Sequence, residues 1–179
     1  MDKERKERRN MKKKIVNILF YSAFIFYLYF IFKNILFKYV SPLQLFVSER
    51  YFYRNVNWIP FYEAFTGNFD TFDIFGNFIV FIPTGIYAAH FFQKKWAVFL
   101  APLALSIFFE VSQYAFAIGA TDVTDVITNT LGGALGVGIY FLLKVFFKNK
   151  ERTKNVIALS SFAVMIPVAA VSLLLFVIN

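Results

Sequence analysis

Five apolar blocks, each about twenty residues long, decide what this chain can become. They occupy residues 15–37, 72–92, 96–118, 126–147 and 156–178. A helix of about 20 residues is what crosses a hydrocarbon core roughly 30 Å thick. A soluble domain of this length would break its apolar residues into short runs set between polar stripes, and these blocks are not broken in that way. Composition agrees, with 59% hydrophobic and only 17% charged residues, where soluble proteins carry roughly 25% charged. The expected fold class is therefore an all-α integral membrane protein with about five transmembrane helices and little folded structure outside the bilayer. The first block is too long for a cleavable leader, and no small-x-small site follows it, so an uncleaved anchor is expected.

Charge predicts the orientation. Residues 1–14 hold Lys3, Arg5, Lys6, Arg8, Arg9, Lys12, Lys13 and Lys14. Lys94 and Lys95 fill the turn between the second and third blocks, and Lys148, Lys150, Arg152 and Lys154 fill residues 148–155. Lysine and arginine collect in cytoplasmic loops, so all three segments belong inside, with the N-terminus cytoplasmic and the C-terminus extracytoplasmic. The opposite loops carry only Lys38, Arg50 and Arg54 against Glu49, Glu63 and Asp70. The net charge of +8 thus reads as topology, and no nucleic-acid partner is expected. With no cysteine and the single histidine His90, disulfides, thiolate sites and multi-histidine metal sites are excluded, and no cofactor is expected.

Residues 38–71 form the one sizeable loop outside the membrane, and it is crowded with Tyr39, Phe46, Tyr51, Phe52, Tyr53, Trp58, Phe61, Tyr62 and Phe65. Two readings stand. One is an aromatic belt at the headgroups; the other is a lid or docking surface for an amphipathic ligand.

Polar residues inside the apolar blocks carry more information, because each is costly in lipid unless partnered. Glu110 lies about 12 Å inside the outer end of its span, where an acid costs about 2.5–3.5 kcal/mol. Gln113 and Ser106 share its helical face. The turn after this span holds Asp122 and Asp125. Either Thr121 with Thr124 or Asp122 with Asp125 fits a helix N-terminal capping pattern. Asn129 follows on the face of the two aspartates, and Asn77 lies roughly 7 Å deep in the second span. Residue counting puts Asn77, Gln113 and Asn129 at similar depths, with Asp125 just above and Glu110 below. The expected ligand-binding cluster is therefore Asn77, Glu110, Gln113, Asp122, Asp125 and Asn129, open to the outer leaflet. Asp122 and Asp125 are also candidate oxygen ligands for a divalent cation. The alternative is a purely structural hydrogen-bonded lock between helices. Gly132 and Gly136 form a small-xxx-small face for close helix approach, with Gly133 beside it. Pro83 and Pro102 remove backbone donors within their spans, and His90 marks either the cytoplasmic interface or a proton relay.

Several of these residues lie in linked motifs. Asn77-Phe78-Ile79-Val80-Phe81-Ile82-Pro83-Thr84-Gly85 resembles the N-x-x-x-F-x-P-x-G signature of the VanZ-like family. Glu110-x-x-Gln113 and the run from Asp122 through Asp125, Asn129 and Thr130 to Gly132 resemble its E-x-x-Q and D-x-x-D-x-x-x-N-T-x-G elements in order and spacing. Asn57-Trp58-Ile59-Pro60-Phe61 resembles its N-x-I-P-F segment. The likeness covers residues 57–138, within an expected domain at 57–147. Many members carry an arginine just before the first aspartate. Here Ala120-Thr121 stands in that region, so the acids must be partnered otherwise.

The resemblance implies a multi-pass protein of the bacterial plasma membrane, associated in Gram-positive bacteria with low-level glycopeptide resistance, above all to the lipid-bearing teicoplanin. It implies no agreed enzymatic activity and carries over no catalytic role. The expected partners are a membrane lipid, a lipid-linked cell-wall precursor or the lipoglycopeptide itself, held by the outer polar cluster. The alternative is an intramembrane hydrolase or transferase on a lipid-linked substrate, with Glu110 as general acid or base. A proton-coupled carrier would need a second acidic station on the cytoplasmic side, which the spans lack.

Overall fold

Lipid offers no hydrogen bonds to a peptide backbone, so an apolar stretch that crosses it must satisfy its own N–H and C=O groups. The apolar blocks accordingly form helices in a computed structural model that describes residues 2–38, 40–47, 53–66 and 71–178. Helix α1 (Asp2–Ile31) leads into a π-helical turn, Phe32–Leu36, and a 3-10 turn follows at Pro42–Phe46. Strand β1 (Tyr53–Asn57) and the short helix α2 (Tyr62–Thr66) come next, then the helices α3 (Thr71–Phe91) and α4 (Lys95–Phe116). Strand β2 (Ile118–Asp122) precedes α5 (Val123–Phe147) and α6 (Lys150–Ile178). Among the described residues, five helices are long and apolar enough to cross a membrane. Outward side chains such as Ile18, Phe72 and Leu142 are large, apolar and exposed, the surface a bilayer covers.

Two boundaries differ from expectation. The basic segment before residue 15 continues α1 as helix, since Lys, Arg and Glu are good helix formers and Lys3/Glu7 and Glu4/Arg8 are spaced i, i+4. The turn between α5 and α6 shrinks to Lys148 and Asn149. Asn149 Oδ1 caps α6 by accepting from the N–H groups of Glu151 at 2.8 Å and Arg152 at 3.2 Å.

The chain divides into two compact units. In the first, residues 1–29 and 143–179, α1 and α6 run side by side and parallel. Lys13 pairs with Glu151 at 3.6 Å. Lys154 Nζ donates to Asn17 Oδ1 at 2.8 Å and sits over the rings of Phe20 and Tyr21. Ala23, Ile157 and Ala158 are buried.

The second unit, residues 30–142, is built on α3, α4 and α5. The glycine face of α5 meets α3 at backbone distance. A Cβ placed on Gly132 would stand 2.0 Å from the Phe78 carbonyl oxygen, and one on Gly136 would stand 1.9 Å from that of Ile82. Gly85 of α3 returns the contact against Gly133, while Gly133 packs on the Pro102 ring of α4. Phe109 is fully buried between Phe32, edge-on at 5.1 Å, and Phe81, edge-on at 6.2 Å. His90 lies edge-on to Tyr140.

The departure from an all-helical reading is a parallel pair of strands, β1 with β2, in register from Tyr53 opposite Ile118 to Asn57 opposite Asp122. Ala117 causes it. At φ 50° it occupies the left-handed region and closes α4 with hydrogen bonds from its own N–H to Gln113 O and Tyr114 O. The chain then turns back along α4 instead of leaving the membrane end.

Candidate functional site

The site is built around the first turn of α5. Asp122 is its N-cap: Oδ1 accepts from the Thr124 N–H at 2.7 Å. The other oxygen, Oδ2, accepts from Asn57 Nδ2 at 3.0 Å. Asn57 Oδ1 in turn accepts from the Ile59 N–H, and Thr124 Oγ1 accepts from the Phe61 N–H at 2.9 Å. The N-x-I-P-F segment is thus a clamp that fastens its loop onto the start of α5. Of the two capping patterns open from the sequence, the structure uses Asp122.

A complete capping box would have the acid three residues on, Asp125, accept the N–H of Asp122. Glu110 of α4 takes that position instead, with Oε2 accepting the Asp122 N–H at 2.9 Å. Thr121 Oγ1 adds a bond to the Glu110 carbonyl at 3.1 Å. Glu110 is 3% exposed. Relieved of capping, Asp125 lies beside the Asn77 amide of α3 and in the electrostatic field of Lys38, Asp73 and Asp122.

The acids are partnered without an arginine just before Asp122. Lys38 forms an ion pair with Asp73 and lies within electrostatic reach of both Glu110 and Asp125. Arg54 of β1 goes elsewhere. Its Nε and guanidinium donate to the carbonyls of Tyr114 at 3.1 Å and Ala115 at 3.3 Å, a cation on the C-terminal carbonyls of α4 where the helix dipole favours it.

Gln113 and Asn129 are buried, but they do not share the level expected of them. Asn129 Nδ2 donates to Ser106 Oγ at 3.0 Å, and Gln113 Nε2 donates to the carbonyl of Ile35 in the π-helical turn at 2.8 Å. Ser106 and Gln113 are seven residues apart on α4, about 10 Å along its axis, so Asn129 lies well below Gln113. Glu110 is level with Asp122 and therefore not below Asp125. Depth counting fails here because it assumes that the α4–α5 turn rises out of the membrane, whereas β2 folds back. Of the six expected site residues, Asn77, Glu110, Asp122 and Asp125 come together, with Gln113 above them and Asn129 below. Gln113 Oε1 and Asn129 Oδ1 are buried without a hydrogen-bond partner, while the Asn77 amide faces Asp125.

As a cation site, Asp122 with Asp125 has little to offer. Both Asp122 oxygens already accept hydrogen bonds. Among the described residues, no three His, Cys, Asp or Glu side chains gather as a metal ion needs. Residues missing from the sequence-derived cluster are Lys38, Asn57, Asp73, Ser106 and Thr124. Asn57 carried a signal, its N-x-I-P-F motif, whereas Lys38 and Asp73 carried none. Within residues 38–71, Trp58, Tyr62 and Phe65 are exposed, while Tyr39, Glu49, Arg50, Tyr51, Phe52, Asp70 and the side chains of Phe46, Tyr53 and Glu63 lie outside the described residues.

Fold and site together define a multi-span helical membrane protein whose three-helix core carries a buried cluster of acids and amides at one end. The chain belongs to the VanZ/LLP1 family, whose sequence model matches residues 24–147. That match starts well before Asn57 and takes in the end of α1 and all of residues 38–71. The chain is also similar to Protein VanZ of Enterococcus faecium, at 41% identity over 109 residues, an alignment covering 60% of this chain and 65% of that protein. The chain thus spans slightly less than two thirds of that relative. No solved structure matches it.

Proposed function

We propose that the protein supports glycopeptide resistance, above all to teicoplanin, by holding a lipid, a lipid-linked wall precursor or the lipoglycopeptide in the outer leaflet of the bacterial plasma membrane. The holding groups are Asn77, Glu110, Asp122 and Asp125, flanked by Gln113 and Asn129. Membership of the VanZ/LLP1 family and similarity to Protein VanZ support the association with resistance.

One observation carries the binding reading: amide side chains of two helices, Gln113 and Asn129, each at least nine-tenths buried, keep carbonyl oxygens without a hydrogen-bond partner above and below the buried Glu110. A lock between helices would satisfy those ends, since an unmatched buried polar group costs about 1–3 kcal/mol. A ligand or its headgroup supplies the missing partners. Acyl chains cost about 0.8 kcal/mol per CH₂ to withdraw from lipid, so a protein acting on a lipid-bearing antibiotic gains by working at the bilayer surface. The exposed Trp58, Tyr62 and Phe65 on the clamped loop fit that setting.

The orientation we propose has the N-terminus cytoplasmic and the C-terminus outside. The pairing of Lys13 with Glu151 supports it by keeping the basic N-terminal segment and the basic start of α6 on one side. A hydrolase or transferase reading is less well supported, because it needs Glu110 free for proton transfer and one of its oxygens holds the start of α5.

The test is growth against teicoplanin and vancomycin in a strain expressing wild type, Glu110→Gln or Asn129→Ala, with membrane abundance measured. Loss of teicoplanin resistance at equal abundance is expected. Resistance intact in both variants overturns the reading.

A further inference from the structure

In the first unit, α1 and α6 enclose a cleft of about 320 Å³. Arg9, Lys12 and Lys13 approach it from α1 and Arg152 from α6, with Val16 as an apolar wall. The α1 residues fall at i, i+3, i+4 and i+7, one face of the helix. Glu151 also lines the cleft but is paired with Lys13. Among the described residues, Arg9, Lys12 and Arg152 face the cleft without an acidic partner. Orientation by the positive-inside effect requires basic residues near the span ends and does not require them to converge. Like charges drawn into one concavity repel, and an anion relieves that repulsion.

We infer that this cleft binds the phosphate headgroup of an anionic phospholipid. The apolar run of α1 begins at Ile15, beside Val16, and that of α6 at Val156, beside the lining residue Asn155. The cleft therefore lies where both helices leave the apolar region, at the level of phosphodiester groups. Arginines present forked donors that match phosphate oxygens, and basic pockets between helices at the membrane surface bind lipid headgroups in this way. The inference is independent of any ligand at the outer cluster.

The test uses the full chain in detergent micelles, titrated with phosphatidylglycerol, phosphatidylcholine or inorganic phosphate while the thermal unfolding midpoint is followed. Phosphatidylglycerol raises the midpoint and phosphatidylcholine does not. Each basic residue at an anionic surface contributes about fivefold in affinity. The triple variant Arg9→Gln, Lys12→Gln, Arg152→Gln therefore weakens binding at least tenfold (order of magnitude). A control with the same charge change outside the cleft, Lys3→Gln, Arg5→Gln, Lys6→Gln, weakens it less than about twofold. Equal stabilisation by phosphatidylcholine, equal weakening by both triples, or a full shift from inorganic phosphate alone overturns the proposal. Should the cleft triple fail to fold, the wild-type comparison of the two lipids and the single Arg152→Gln variant decide between the same outcomes.

Discussion

Glu110 Oε2 accepts the backbone N–H of Asp122 at 2.9 Å, so an acid of one membrane helix completes the N-terminus of the next. The bond answers two demands at once. It gives a buried carboxylate a donor, and it gives the first turn of α5 an acceptor that its own sequence would otherwise draw from Asp125.

Shape and charge at residue 110 are therefore separable. Glu110→Gln keeps an amide oxygen for the Asp122 N–H and is expected to unfold within about 1 kcal/mol of wild type. Glu110→Ala leaves that N–H unmatched and is expected to lose about 1–3 kcal/mol. Thermal unfolding of both variants in detergent measures the difference. Loss of resistance in Glu110→Gln at wild-type stability would assign function to the carboxyl group that glutamine lacks.

Asn57 fastens its loop by donating to the Asp122 carboxylate, and hydrogen bonds to charged groups contribute about 1.5–3 kcal/mol. Asn57→Ala is expected to lose stability in that range and to make the peptide bonds around Trp58 and Ile59 more susceptible to added protease. Limited proteolysis of the purified protein checks it. Unchanged cleavage would mean that the Phe61–Thr124 bond and strand pairing hold the loop unaided.

Glycines of one helix should differ sharply. A methyl at Gly132 or Gly136 collides with α3 backbone, whereas at Gly138 it meets nothing within 4 Å. Gly132→Ala and Gly136→Ala are expected to destabilise by about 1–3 kcal/mol or more. Gly138→Ala should be neutral or stabilise by up to about 1 kcal/mol through helix propensity. Unfolding midpoints of the three variants decide it.

Because the chain has no cysteine, engineered pairs report distance without background. The pair Ser106→Cys with Asn129→Cys is expected to cross-link under mild oxidation, and Gln113→Cys with Asn129→Cys is not. The reverse pattern on denaturing gels would restore the single level expected from residue counting and refute the register described above.

The spans, the glycine face and the linked motifs were legible in the sequence because each rests on a repeating physical rule: block length, helical spacing, fixed offsets between polar residues. The vertical order of the polar groups was not. It depends on Ala117, a residue type with no special liking for the left-handed region, which turns the chain back and lowers the start of α5. The destination of Gln113 was equally hidden, since its partner is a backbone carbonyl in a π-helical turn that side-chain pattern does not mark. Asp125 remained ambiguous because the acid that displaces it from capping comes from another helix.

At the glycine face α3 and α5 meet backbone to backbone, with no room left between them for a side chain. A molecule held at the proposed site would therefore have to reach the acids along α4 or beneath the loop that Asn57 fastens, not between those two helices.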